Sequence, residues 1–130
     1  MFKEKLRKHL NRLKSKREST LDAAIRKVKE LARPDTWASN HENCYRCTIG
    51  QGESEAHARA KFERFLYWRQ LGCSVFVELR WAGSRGRSDL VICMNNGEVL
   101  IEEIANSETE QSLIEKETKY PFPIAIIRCF

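Results

Sequence analysis

The chain has 130 residues, 42% hydrophobic and 32% charged, with a mean hydropathy of −0.55. That is one ordinary domain, long enough to bury a core without disulfides. No apolar run approaches the ~18 residues of a membrane span, no apolar stretch follows the basic N-terminus as a secretory signal requires, and 6 Gly with 3 Pro exclude a low-complexity chain. The net charge of +5 is uneven: residues 1–33 carry 12 Lys/Arg against 4 Asp/Glu, and the remainder carries 11 against 14. A basic arm on a mildly acidic domain can neutralise phosphates and release counterions, giving sequence-independent affinity for nucleic acid; the alternative is a solvated amphipathic helix. The 5 cysteines are odd in number and no secretory signal accompanies them, so a reducing, cytoplasmic setting is expected.

In chain order, Phe2, Leu6, Leu10 and Leu13 recur at helical spacing and predict a helix over 2–18. Ser19 or Thr20 restarts a helix, with Ser19 and Asp22 spaced as a capping box, and Leu21, Ile25, Val28 and Ala32 form its stripe up to Pro34. Residues 34–52 are rich in turn formers. A helix follows from Ser54 to Gln70 and stops at Gly72. Cys73–Trp81 reads as a strand, with Val75 and Val77 on one face and Phe76 and Glu78 on the other. After the turn Ala82–Arg87 come a strand over Ser88–Met94, a hairpin at Asn95-Asn96-Gly97 and a strand over Glu98–Asn106. A polar helix at Thr109–Lys119, a turn bracketed by Pro121 and Pro123, and a strand over Ile124–Phe130 complete the chain. The order α-β-β-β-α-β predicts an α/β (α+β) domain with helices flanking a mixed central sheet. Three segments are expected: a basic helical arm (1–34), an irregular linker (35–52) and a core (53–130).

Asp89 opens an otherwise apolar strand, and Glu103 lies within the next, between Ile101 and Ala105. The hairpin makes the two carboxylates neighbours in positions that a half-buried sheet gives to Val or Ile. An unpaired buried carboxylate is costly, and two together are worse unless a cation lies between them. A hard divalent ion such as Mg²⁺ accepts one or two carboxylates and activates water for attack on a phosphoryl centre. The alternative sets Glu102 and Glu103 as exposed residues on an edge strand.

Three motifs lie in order along this stretch. They are Glu53-Ser54-x-x-His57-x-x-x-Lys61 at a helix start, Gly86-Arg87-Ser88-Asp89 entering a strand, and Ile101 before Glu103-x-x-x-Ser107, followed by Lys116-x-x-x-Tyr120. Together they resemble the PD-(D/E)XK nucleases, which have a restriction-endonuclease-like core, and more narrowly the CoiA-like and Holliday-junction-resolvase-like branches. The likeness covers residues 50–130. It implies Mg²⁺- or Mn²⁺-dependent hydrolysis of DNA phosphodiesters, with branched DNA among the substrates. Asp89 and Glu103 would be metal ligands, and Glu53 would complete the site directly or through water, with Glu55 and Glu63 as competitors for that place. His57 would touch the scissile phosphate or orient an acid. The family carries Lys, or Gln in some branches, two residues after the acid; here Ala105 stands there. Lys116, with Lys119 behind it, is the substitute cation. Without one, the chain would be a nuclease-fold DNA-binding module. A homodimer would cut both strands.

Arg80, Arg85 and Arg87 surround Gly83, Ser84 and Gly86, a turn whose forked donors suit phosphate oxygens. Lys61 joins them as a DNA-contacting cation on the helix. His41, Cys44 and Cys47 have zinc-like spacing, with Cys73 as the fourth ligand that tetrahedral zinc needs; the alternative is free thiols or a disulfide in a loop. Cys93 and Cys129 read as packing residues. Trp37, Trp68 and Trp81 are candidates to stack on bases, with Trp68 the most core-like.

Overall fold

A computed structural model describes residues 2–83, 86–105 and 109–129, and the side chains of these residues except at 13–19. The elements are α1 (Phe2–Leu31), α2 (Glu55–Gln70), β1 (Ser74–Arg80), β2 (Arg87–Cys93), β3 (Val99–Ala105), α3 (Glu110–Lys119) and β4 (Ile124–Arg128), with short 3-10 turns at Ala38–Asn40 and Ile49–Gln51. The fold is α+β. The sheet order is β1-β2-β3-β4; the first three strands form an antiparallel meander, and β4 returns through α3 to lie parallel to β3. Among the described residues, no helix is long and apolar enough to cross a membrane.

Expectation and structure differ first at α1, which is one continuous helix rather than two helices or one interrupted helix. No Gly or Pro occurs between residues 2 and 31, so nothing interrupts its hydrogen-bond ladder. Thr20 restarts nothing: its hydroxyl donates to the Asn95 carbonyl and ties the helix to the β2–β3 hairpin. From Leu21 onward α1 belongs to the core. Ala24, Val28 and Ala32 are buried against Phe76, Leu79, Trp81, Val91 and Ile101. Over its second half the basic segment is therefore not an arm outside the domain. The first turns do stand out in solvent, with Phe2, Leu6 and Leu10 exposed.

The opposite sheet face carries Val75, Val77, Leu90 and Ile92 against Phe65 of α2, with Tyr45 and Trp68 half-buried beside them. Ser54 caps α2 by accepting the His57 amide, and Gly72 ends it at φ 83°. Val77 and Leu79 sit two residues apart yet face opposite clusters. The strand makes this half-turn at Glu78, whose φ of 56° breaks the alternation expected from sequence. Trp81 is fully buried, and its indole N–H donates to the Ser88 hydroxyl at 2.7 Å. It is a core residue, not a platform for bases.

Candidate functional site

The register pairs Val77 and Leu79 of β1 with Leu90 and Ser88 of β2, and Leu90 with Glu102 of β3. Continued by one residue, it sets Glu78, Asp89 and Glu103 in a row across three strands. The bend at Glu78 and the N-terminus of α2 open a cleft of about 490 Å³ over this row. Its lining includes Glu53, His57, Glu78, Asp89, Glu103 and Lys116, with Arg87 at its wall. Every residue that the sequence analysis assigned to catalysis lies in this one cleft.

The α2 side is a stack of helical turns. Glu53, His57 and Lys61 are spaced i, i+4, i+8 and share a face. Glu53 accepts the Thr48 amide at 2.8 Å, His57 Nδ1 at 2.5 Å and Lys61 Nζ at 2.8 Å. Burial opposes its ionisation, but these donors win and hold its carboxyl below the usual range. With its oxygens so engaged, Glu53 lines the cleft as an anchor of its neighbours and not as a ready metal ligand. Glu55 and Glu63 are exposed, which removes them as alternatives. Lys61 is fully buried and bridges Glu53 to Glu78, the latter at 2.9 Å. The expectation that it contacts DNA is corrected: two carboxylates in the interior require a cation between them. Arg46 completes the arrangement, with Nε 3.2 Å from Glu78.

His57 reaches Asp89 with Nε2 at 3.4 Å while Nδ1 faces Glu53. Both ring nitrogens meet carboxylates, so both act as donors. The Asp89 contact, ahead of Glu53, raises the imidazole pKa against the effect of burial. Asp89 also accepts the Ile104 amide at 2.8 Å. Burial pushes the Asp89 carboxyl up, but hydrogen bonds from His57, Glu103 and that amide hold it below its ordinary value. Glu103 goes the other way: burial, then the Asp89 charge, push it up to about 9. Two carboxyls this close do not readily ionise together, so they share a proton at neutral pH and titrate as a pair. Glu103 Oε1 is buried without a hydrogen-bond partner. Lys116 Nζ lies 3.9 Å from Glu103 Oε2. Tyr120, buried at the end of α3, donates to the Arg87 carbonyl at 2.7 Å, and burial with the nearby Glu103 raises its phenol.

Among the described residues, no three His, Cys, Asp or Glu side chains gather as a metal-holding group. The donor set in the cleft is the Asp89–Glu103 pair, in which the unpartnered Glu103 Oε1 suits a hard cation that takes its remaining ligands from water. Comparison with protein-family models, with curated proteins and with solved structures gives no match.

Glu102 faces α2 in a two-pronged pair with Arg64, at 3.0 and 2.6 Å. This leaves Glu103 as the acid of the cleft and removes the edge-strand alternative, since both glutamates are buried. Ala105 is fully buried, and no cation stands at its position. Lys119 is exposed on α3. Arg80 and Arg87 are exposed at the end of the β1–β2 ladder, where they pair directly; Arg85, with Ser84 and Ser107, lies outside the described residues. His41 stacks on Trp37 at 4.9 Å and points Nδ1 at the Trp37 carbonyl, while Cys44 and Cys47 are exposed free thiols, so this trio is not gathered around a common point. Cys93 and Cys129 are buried packing residues, as expected. Sequence reasoning missed Glu78, Thr48 and Arg46. The signal for Glu78 was present, since it is the one acidic residue in the strand and follows the apolar run Val75–Val77.

Proposed function

We propose that the chain is a Mg²⁺- or Mn²⁺-dependent phosphodiester hydrolase acting on DNA, of the restriction-endonuclease-like PD-(D/E)XK type. The observation that carries this reading is the Asp89–Glu103 pair, a half-buried and a buried carboxylate on adjacent strands of one cleft, with Glu103 Oε1 left without a hydrogen-bond partner. The α-β-β-β-α-β order from α2 to β4, with β4 parallel to β3, supports the same resemblance.

Asp89 and Glu103 would hold the ion, which when bound supplies an activated water and polarises a phosphoryl oxygen. The other roles belong to the chain's own groups. His57 is occupied on both nitrogens, so it serves as a fixed imidazolium that orients Asp89 and not as a general base. Glu53 in turn fixes His57, and Lys61 fixes Glu53 against Glu78. Lys116, with Nζ 3.9 Å from Glu103, takes the place of the lysine that Ala105 does not provide. Arg87, on the cleft wall, orients the phosphate by forked hydrogen bonds. The burial of Ala105 favours a second reading, a nuclease-fold module that binds DNA without cutting it.

Supercoiled and branched DNA incubated at low salt with Mg²⁺, Mn²⁺ or EDTA separates the two. The hydrolase reading expects metal-dependent cleavage that is lost in Asp89→Ala and Glu103→Ala. Retarded DNA without cleavage in either metal favours the binding module.

A further inference from the structure

Beside the cleft lies a second, smaller cavity of about 90 Å³, the size of a single small anion with its waters. Trp37, Arg46, Glu78, Arg80 and Arg87 form its charged and aromatic lining, with Thr36 at its edge. Arg87 and Glu78 line both cavities, so the two adjoin. Three guanidinium groups against one carboxylate leave the small cavity with a surplus of positive charge.

Two observations point to a ligand. Arg80 and Arg87 are direct cross-strand partners in the β1–β2 register, and like charges set opposite one another are destabilising. Among the described residues, neither has an acidic partner that relieves the repulsion. Arg46 is held in advance, with Nε 3.2 Å from Glu78 and its guanidinium 4.9 Å from the centre of the Trp37 ring. A fixed arginine beside an unrelieved arginine pair suits an anion with several acceptor oxygens arranged for forked donors.

We infer that the Arg46–Arg80–Arg87 cavity seats a second phosphate of the nucleic-acid strand, next to the one held over Asp89 and Glu103. The inference rests on reading the cleft as a phosphodiester site and gives that site a direction: the strand passes Arg87 and leaves toward Trp37. The phosphate is either a backbone diester or a terminal monoester at a strand end.

Side-chain Nε–H signals of the ¹⁵N-labelled full chain read the contact directly, in EDTA, so hydrolysis plays no part. The probes are a deoxydinucleotide with a 5′-phosphate, the same dinucleotide without it, and sodium chloride at matched ionic strength. Shifts at Arg80 and Arg87 with both dinucleotides support a backbone phosphate in the cavity, and shifts only with the phosphorylated one support a terminal phosphate. Arg80→Gln, with its backbone spectrum otherwise unchanged, is expected to weaken binding of the phosphorylated probe by about tenfold. Shifts no larger than those with chloride, or unchanged affinity in Arg80→Gln, overturn the inference. Phosphate-dependent shifts in a protein that never cleaves DNA would sink the hydrolase reading and leave the phosphate seat standing.

Discussion

Replacing Glu103 with glutamine should make the metal-free protein more stable, although it alters a buried residue at the centre of the cleft. In the folded chain the Glu103 carboxyl is raised from 4.5 to about 9, by burial and by the facing Asp89. In the unfolded chain it ionises normally, so folding at neutral pH must take up a proton. Stability falls as pH rises wherever the folded state binds more protons, here between roughly pH 4.5 and 9. Integrated to pH 7, the cost of Glu103 is about 3 kcal/mol. Glutamine needs no proton and can still donate from its amide to Asp89, so it escapes this cost. For a chain of 130 residues the gain corresponds to a rise of about 10 °C in Tm. At pH 5 the gain should shrink to about 1 kcal/mol or less. Urea unfolding of both proteins in EDTA, at pH 5, 7 and 8, measures the difference. A Glu103→Gln protein less stable than the parent at pH 7, or a gain that does not grow with pH, would refute the reasoning.

The remaining predictions concern the groups around that pair. Lys61→Met leaves Glu53 and Glu78 without their shared buried cation, and urea unfolding should show a loss of about 3–5 kcal/mol. The His57 ring should titrate above its ordinary value of 6.5 by NMR, chiefly because of the Asp89 carboxylate. Its contribution to stability is complete below that value and is lost as pH rises through the folded pKa; Asp89→Asn should move the midpoint down. If Lys116 supplies the missing cation, Lys116→Ala should reduce DNA cleavage by about 100-fold. Ala105→Lys in that background should restore part of the rate in the same plasmid assay, and no recovery would count against a cationic role at this point of the site.

The parts legible in the sequence were those where a residue type conflicts with its local pattern. Asp89 and Glu103 stood out because a carboxylate in an apolar strand needs a reason, and the Asn95-Asn96-Gly97 hairpin was enough to make them neighbours. Glu53 and His57 were singled out by the family resemblance, with helical spacing placing them on one face. The succession of strands along the chain was readable from alternation and turn chemistry, and the four strands lie within two residues of their expected bounds; the place of β4 beside β3 was not. What was not legible depends on tertiary contacts. Spacing puts Lys61 on the same face as His57, but only the backbone half-turn at Glu78 brings a second carboxylate to it and draws it inside. Residues 19–22 carry a capping pattern, yet in a run without Gly or Pro the helix continues through it. Trp81 beside an arginine-rich turn suggested a stacking surface. Its burial is decided by α1 and by Ala32 just beyond it, which bridges to Trp81 across the end of the sheet.

The claim on which the account depends is that a divalent cation replaces the proton shared by Asp89 and Glu103. Calorimetric titration of the protein with Mn²⁺ at pH 7.5, in two buffers of different ionisation enthalpy, counts the protons released on binding. About one proton per ion is expected for the parent chain, with binding lost or sharply weakened in Glu103→Gln. Binding without proton release, or binding of equal strength in Glu103→Gln, would contradict it.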